Sequence, residues 1–337
     1  MRKIIWVILV IFVALSTIAW ASKSSLPPAP AVWDIITPIP PQTQDVTGEV
    51  KIPKINSEIL WQHLEALQGE RYSQRDRALS RNYITEKLKQ WGYQPILQPF
   101  EGGINIIVER PGTNPKSGKI SVGSHYDTVL QSPGVDDNGT GIATLLELAR
   151  LYHNKPTPKT LQLIFFDQEE KGLLGSLAFT SKGKSLQDLK AVIILDMIGH
   201  ACRTPGCQQY PEGISATDYV KAAGVTSPDQ GEFLAVVGET TSVSLLKSFS
   251  PLTSSSLPPV VTVPIPLKGL LTPDVLRSDH APFWYNNIPA VLVTDTANLR
   301  SRHYHQPTDT LENIDRPFFE GAAQIVVNAT SQLLNNR

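Results

Sequence analysis

The chain has 337 residues, of which 41% are hydrophobic, so it can bury the core of one large α/β domain or two small ones. Its 30 Lys and Arg residues and 31 Asp and Glu residues leave a formal net charge of −1 at neutral pH. This balance argues against a nucleic-acid partner, which would require an excess of basic residues.

The first 21 residues have the three parts of a secretory signal peptide. Arg2 and Lys3 precede an apolar run over residues 4–20, and small residues flank Trp20. Cleavage after Ala21 would release the chain. An apolar run of about 17 residues is also near the lower limit for crossing a bilayer, so an uncleaved N-terminal anchor is the alternative. Both interpretations predict an extracytoplasmic protein that contacts a membrane only through this segment.

A proline-rich stretch over residues 22–49 follows the apolar segment. Its prolines between Pro27 and Pro41 predict a stiff, extended linker rather than part of a core. We therefore expect a single folded domain over residues 50–337.

The chain has two cysteines, Cys202 and Cys207. A zinc knuckle would need two more ligands nearby, and the sequence provides none there. In an oxidising compartment the two thiols can close a small loop, so we predict a local disulfide.

Apolar runs typical of strands alternate with helical periodicity through the rest of the chain. The expected strands are 105–108, 119–122, 161–166, 191–195, 233–237, 260–263 and 290–293. The main expected helices are 57–68, 75–90, 141–152, 240–250 and 315–334. This alternation predicts an α/β fold: a three-layer α/β/α sandwich with a mostly parallel mixed central sheet and helices on both faces.

One strand ends in a group of carboxylates. The apolar run Leu161–Phe166 is followed by Asp167, Glu169 and Glu170. Polar groups at the carboxyl end of a buried strand lie where α/β proteins bind ligands. The alternative for this segment is an acidic turn that caps the next helix, expected near Gly172.

Other segments carry imidazoles and carboxylates in similar positions. These residues are His125, Asp127, Asp136, Asp137, Asp196, His303 and His305. Each alone has an ordinary interpretation as a hydrogen-bonded pair, a turn, a cap or a solvated side chain. Together, His and carboxylate side chains at the ends of at least four segments are the ligands that Zn²⁺ takes in proteins.

These segments together resemble the co-catalytic di-zinc aminopeptidase family, which includes bacterial leucyl aminopeptidases, glutaminyl cyclases and glutamate carboxypeptidase-like ectopeptidases. The resemblance covers about residues 55–334, with five separated motifs in the family's order. It implies a zinc-peptidase-like fold, a peptide substrate and two Zn²⁺ ions per chain. It leaves the oligomeric state open.

The resemblance also assigns metal ligands. His125 and Asp196 would hold one zinc, and Glu170 and His305 would hold the other. Asp137, directly before Asn138 in the acidic loop, would bridge both ions. A shared carboxylate offsets the mutual repulsion of two cations that activate a common water.

Further roles follow from the same resemblance. Glu169 would be the general base, and the Tyr304 hydroxyl would face the substrate carbonyl. Asp127 would hydrogen-bond the His125 nitrogen that faces away from the metal. Asp279 and its neighbour His280 would orient nearby groups or contact substrate, with a structural turn as the alternative. We expect Asp136 to be a turn residue and His303 to lie outside the ligand set.

The predicted function is a secreted or surface-anchored zinc aminopeptidase that removes N-terminal residues from peptides. A glutaminyl cyclase, an acyltransferase with one zinc, is the first alternative and would use only Asp137, Glu170 and His305 as ligands. The presence of His125 and Asp196 favours two ions. The second alternative is a non-catalytic binding ectodomain, although all five ligand positions and Glu169 are retained.

Overall fold

A mixed eight-stranded sheet forms the centre of the structure, a computed structural model that describes residues 51–211, 216–249 and 257–336. The strands are β1 (Ile96–Phe100), β2 (Gly103–Arg110), β3 (Lys119–His125), β4 (Thr160–Phe166), β5 (Leu189–Leu195), β6 (Leu234–Glu239), β7 (Val260–Ile265) and β8 (Ala290–Thr294). Their order across the sheet is β1-β2-β4-β3-β5-β8-β6-β7. The expected signal segment and linker, residues 1–49, lie outside the described residues.

Eight α-helices are described with this sheet. They are α1 (Ser57–Leu67), α2 (Gln74–Gln90), α3 (Gly141–Tyr152), α4 (Leu174–Thr180), α5 (Ala216–Ala222), α6 (Val243–Lys247), α7 (Ala281–Tyr285) and α8 (Arg316–Asn335). As the sequence predicts, α8 begins at a capping Asp315, whose carboxylate accepts a hydrogen bond from the Phe318 N–H at 3.0 Å. None of the helices in these ranges is both long and apolar enough to cross a bilayer.

Alternate residues of the central strands pack into two cores. In β5, Ala191, Ile193 and Leu195 join the core that contains α1, α2, α3 and α8. Val192 and Ile194 of the same strand face the opposite core, which contains residues of α4 and α7. Because successive side chains of a strand point to opposite faces, both faces of the sheet are covered by helices. The predicted α/β sandwich is confirmed.

The sequence interpretation missed β1 and overestimated α6. Among the strands of the described residues, β1 lies at the edge of the sheet and pairs with β2, antiparallel, and it contains Pro99. A half-exposed edge strand with a proline lacks the continuous apolar pattern of a buried strand. The helix expected over 240–250 is a 3₁₀ turn at Thr240–Ser242 followed by the short α6, because Ser and Thr favour turns over helix interiors.

Cys202 and Cys207 form a disulfide, as predicted. Cys202 also pairs through its backbone with Gly231, where the two residues exchange N–H···O bonds of 3.0 and 2.8 Å. The small loop is therefore held both covalently and by main-chain pairing. The residues that follow it, Gln208 and Gln209, line the cleft described below.

Candidate metal centre

Four neighbouring strands bring the predicted ligands to one edge of the sheet. β4, β3, β5 and β8 are mutually parallel, so their carboxyl ends lie on the same side. His125 is the last residue of β3, and Asp196 follows β5 directly. Glu169 and Glu170 follow β4 after a short turn. This edge is where an α/β sheet binds ligands, as the sequence interpretation expects.

The carboxylate of Asp137 lies between two imidazoles. Its Oδ1 is 3.3 Å from Nε2 of His125, and its Oδ2 is 3.2 Å from Nε2 of His305. Each oxygen therefore faces a different histidine. This is the orientation that a carboxylate shared by two cations requires.

The predicted ligands fall into two overlapping groups. His125, Asp137 and Asp196 have ligand atoms within 4.8 Å of one another, and so do Asp137, Glu170 and His305. Within the first group, Nε2 of His125 is 3.6 Å from Oδ1 of Asp196. Within the second, Nε2 of His305 is 3.0 Å from Oε2 of Glu170. The other oxygen of Glu170, Oε1, is buried and has no hydrogen-bond partner among the described residues, which leaves it available to a cation.

The acidity of the cluster fits a cation site. Burial alone would raise the pKa of Asp137, but hydrogen bonds and charge from His125 and His305 bring it below its usual value. Burial and the neighbouring Asp137 raise the pKa of Glu170 to about 7. Burial raises the pKa of Glu169 well above its usual value. Because these buried carboxylates disfavour one another's charge, a cation would relieve their repulsion, and the mixed His and carboxylate donors suit Zn²⁺.

The segment that carries Asp137 is a tight turn ahead of α3. The Asp137–Asn138 peptide bond is cis. The Asn138 side chain donates to the Leu195 carbonyl at 2.8 Å, which attaches the turn to the end of β5. Asp136, expected only as a turn residue, is buried, and its Oδ1 accepts a hydrogen bond from the Gly199 N–H at 2.9 Å.

Asp127 contacts the backbone of Glu169 and Glu170 as well as His125. Nδ1 of His125 lies 3.2 Å from the Asp127 carbonyl oxygen and 3.5 Å from its Oδ1. The Asp127 carboxylate accepts the backbone N–H groups of Glu169 at 3.0 Å and Glu170 at 3.2 Å. Asp127 thus orients a predicted ligand through its carbonyl oxygen, while its carboxylate fixes the backbone of the two adjacent glutamates.

Tyr304 lies against the second ligand group. Its ring stacks on the His305 ring, with centroids 3.7 Å apart and planes at 22°. Its hydroxyl oxygen accepts a hydrogen bond from Nη2 of Arg277 at 2.9 Å. Burial raises the pKa of Tyr304, so the hydroxyl keeps its proton at neutral pH.

Asp279 lies close to the first ligand group, whereas His280 and His303 make hydrogen bonds outside both ligand groups. Asp279 is fully buried, and burial raises its pKa to about 7, opposed by the charge of His125. Nε2 of His280 bonds the Val275 carbonyl at 2.7 Å. Nδ1 of His303 lies 2.9 Å from the Thr308 hydroxyl. Neither imidazole belongs to a ligand group among the residues that the structure describes.

Two residues that the sequence interpretation did not select contact residues 133–137, here called the metal loop because it carries Asp137. Asp309 is 2% exposed, and its carboxylate accepts the N–H groups of Asp136 and Asp137. Arg71 is also 2% exposed and donates to backbone carbonyls on both sides of the site. Asp309 had one weak signal, its position four residues after His305. Arg71 had none.

A cleft opens beside the ligands, and part of its wall is apolar. The apolar side chains that line it include Phe233, Ala235, Val237, Val261, Val263 and Leu292. They belong to β6, β7 and β8 or directly precede β6. Glu169, Tyr304 and Arg277 line the same cleft near the ligands. An α/β sheet with carboxylates and imidazoles converging beside such a cleft is the arrangement of a metal-dependent enzyme.

Comparison with known proteins identifies the family. The model of peptidase family M28 matches residues 105–330. An uncharacterized protein of Escherichia coli (strain K12), YfbL, is 33% identical over 276 residues, which cover 77% of this chain and 80% of YfbL. The chain therefore belongs to peptidase family M28.

Relatives whose names state an activity match at lower coverage or identity. Leucine aminopeptidase 1 of Emericella nidulans is 33% identical over 136 residues, 36% of this chain and 34% of that enzyme. The crystal structure of Legionella pneumophila LapA aminopeptidase has a TM-score of 0.65 at 18% identity, covering 84% of this chain and 73% of LapA. Bacteroides thetaiotaomicron glutaminyl cyclase has a TM-score of 0.57 at 16% identity, covering 85% and 100%. The predicted family is confirmed, and so is the predicted enzyme class at the level of a peptidase.

Proposed function

We propose that this protein hydrolyses the N-terminal residue from peptides, using two zinc ions that share Asp137. The observation that carries the proposal is that the two oxygens of Asp137 face different histidines, at 3.3 and 3.2 Å. His125 and Asp196 complete one site, and Glu170 and His305 complete the other. The catalytic domain is residues 50–337, and the enzyme acts outside the cytoplasm, where the Cys202–Cys207 disulfide can form.

The chain's own residues carry the proton transfers and the positioning. When bound, the zinc ions would supply Lewis-acid activation of a water molecule and of the scissile carbonyl. Glu169 accepts a proton as the water attacks and donates it to the departing amine. The Tyr304 hydroxyl donates to the oxyanion, since its oxygen already accepts from Arg277 and its proton is free to point into the cleft.

The cleft wall supports an apolar side chain as the N-terminal residue of the substrate. Val237, Val263 and Leu292 line it beside the ligand residues. Burying one substrate side chain of the size of Leu against such a wall stabilises the complex by about 1.5–3 kcal/mol. The name of the Emericella nidulans relative, leucine aminopeptidase, agrees with this preference.

We expect two zinc ions per chain and hydrolysis of aminoacyl anilides, fastest for Leu and Phe, with no cyclisation of peptides that begin with Gln. The proteins to compare are the untreated enzyme and the enzyme after chelation and zinc readdition. Mass spectrometry gives the number of zinc ions per chain, and chromatography shows whether hydrolysis or cyclisation products form. One zinc per chain together with cyclisation would establish the glutaminyl cyclase alternative, and metal binding without turnover of either substrate would establish the binding ectodomain.

Replacing Tyr304 by Phe should lower kcat about 10- to 100-fold while KM changes little. Removal of an oxyanion donor costs about 10²–10³ in kcat where that donor acts without a metal. Here bound metal would share the charge, so we expect the smaller loss. Tyr285→Phe is the matched control, because that tyrosine is 60% exposed and does not line the cleft. An unchanged kcat in Y304F would remove the hydroxyl from the mechanism.

A further inference from the structure

The backbone of the metal loop, residues 133–137, is held from one side by Asp309. Its Oδ1 accepts the Asp136 N–H at 2.8 Å, and its Oδ2 accepts the Asp137 N–H at 3.0 Å. The Asp309 carbonyl oxygen also accepts the Val135 N–H at 3.3 Å. Three consecutive amides of the loop are thus bound to one residue, which lies four positions after His305.

Arg71 holds the same loop from the other side. Its Nη1 donates to the Pro133 carbonyl at 3.0 Å, and its Nη2 donates to the Gly134 carbonyl at 2.7 Å. Its Nε donates to the Tyr126 carbonyl at 2.9 Å, directly after His125. The guanidinium therefore joins the segment of one predicted ligand to the loop of another.

Gly134 allows the guanidinium of Arg71 to approach the backbone of the metal loop. Its φ is 60°, a left-handed conformation that glycine adopts without strain. A Cβ at this position would collide with the Thr128 side chain, the Asp137 carbonyl oxygen and the guanidinium of Arg71. The loop thus has the residue type that lets Arg71 approach its backbone.

The charges of the two residues fit the site around them. Burial lowers the pKa of Arg71 to about 10, opposed by Asp309, Asp137, Asp127 and Glu170, so the guanidinium stays charged at neutral pH. A buried cation is tolerated where its N–H groups are hydrogen-bonded, and each nitrogen of this guanidinium donates to a carbonyl. A fixed positive charge within a group of carboxylates also lessens their repulsion.

We propose that Asp309 and Arg71, here called the loop clamp, are positioning residues that hold the bridging carboxylate of Asp137 at its place between His125 and His305. They act through the loop backbone and do not bind metal themselves. Asp309 joins the bridging carboxylate to the His305 segment, and Arg71 joins it to the His125 segment. The inference rests on the proposed two-zinc function, because it concerns the geometry of the shared ligand.

The decisive variant is Asp309→Asn in the full chain. The amide keeps one acceptor oxygen but turns an NH₂ group toward the second loop N–H, so one of the two hydrogen bonds is lost. Loss of a residue that orients metal ligands typically costs about 10- to 100-fold in affinity, and we expect the dissociation constant for Zn²⁺ to rise by this factor. It is measured on metal-free protein by titrating Zn²⁺ alone against a chromophoric chelator.

Two further measurements separate positioning from general stability. Hydrogen exchange of a peptide spanning residues 133–140 should be faster in metal-free D309N than in the metal-free wild type. Asp315→Ala is the matched control: it removes the carboxylate that caps α8 and should lower the unfolding temperature while leaving both Zn²⁺ affinity and loop exchange unchanged. Arg71→Lys tests the other side of the clamp, because an ammonium cannot serve the same set of carbonyls, and it should weaken Zn²⁺ binding in the same direction.

The inference is overturned if D309N binds Zn²⁺ within twofold of the wild type with unchanged loop exchange, or if D315A weakens zinc as strongly. If D309N does not fold, R71K decides by the same two measurements. The wild-type titration reports separately on the proposed function. One zinc per wild-type chain would contradict the two-zinc proposal, whereas a weaker single site in D309N would still support the clamp.

Discussion

Replacing Glu169 by Gln is expected to lower kcat by about 10²–10⁴-fold, the contribution of a positioned general base, while leaving metal content unchanged. Glu169 is 7% exposed and lines the cleft, and it has an oxygen within 4.8 Å of the ligand atoms of His125 and Glu170. Gln has the same shape but cannot accept the proton. Its backbone N–H should remain bound to Asp127, so the neighbouring Glu170 keeps its position.

The measurement is kcat on a leucine anilide together with zinc content by mass spectrometry. Glu86→Gln is the control, since Glu86 is exposed on α2 and lines no part of the cleft. A kcat within tenfold of the wild type would exclude Glu169 as the base. A loss of zinc in E169Q would instead make Glu169 a ligand.

Replacing Asp137 by Ala is expected to remove both zinc ions and all measurable turnover. Its two oxygens face His125 and His305 separately, so deletion of this one side chain takes a donor from both groups. Of the two groups that share Asp137, Asp196 belongs to one and Glu170 to the other, so Asp196→Ala and Glu170→Ala should each keep roughly one ion per chain. The three variants therefore form a graded series in zinc stoichiometry.

The number of zinc ions per chain is measured for each of the three variants after dialysis against a buffer of defined free-zinc concentration. The unfolding temperature of each metal-free variant is the control for folding. We expect it to fall most in D137A, because the metal-free protein then loses the contacts of Asp137 with both His125 and His305, which hold the pKa of that carboxyl below its usual value. Retention of two ions by D137A would show that Asp137 is not the shared ligand.

Long apolar strands and capped helices could be predicted because their pattern is local. Leu161–Phe166 is apolar at five of its six positions, and the structure places it within β4, buried between neighbours on both sides. Asp315 and Pro317 predict the start of α8 by the same kind of short-range chemistry. β1 could not be predicted, because its hydrogen bonds depend on the adjacent β2 and its own side chains are largely exposed.

Some residues of the candidate site could be recognised from the sequence, and others could not. Residues that would touch metal or substrate are chemically distinctive, so His125, Asp137 and Glu170 stand out at the ends of segments. Arg71 and Asp309 act on backbone amides and carbonyls of residues distant in sequence, 62 and 63 positions away for Arg71 and 172 and 173 for Asp309. A backbone group has no signature in the sequence, so neither partner could be recognised from spacing.

The sequence by itself determined which side chains are available for catalysis and which strands carry them. It also determined that the five motifs follow one another in the order typical of the family. Only the tertiary structure decided that the two oxygens of Asp137 face different histidines and that the Asp127 carboxylate accepts the backbone N–H groups of Glu169 and Glu170. It also decided that the Arg71 guanidinium and the Asp309 carboxylate hold the metal loop. The physical reason is that side-chain chemistry is a property of each residue, whereas a distance between atoms of separate segments depends on how the strands pair and pack.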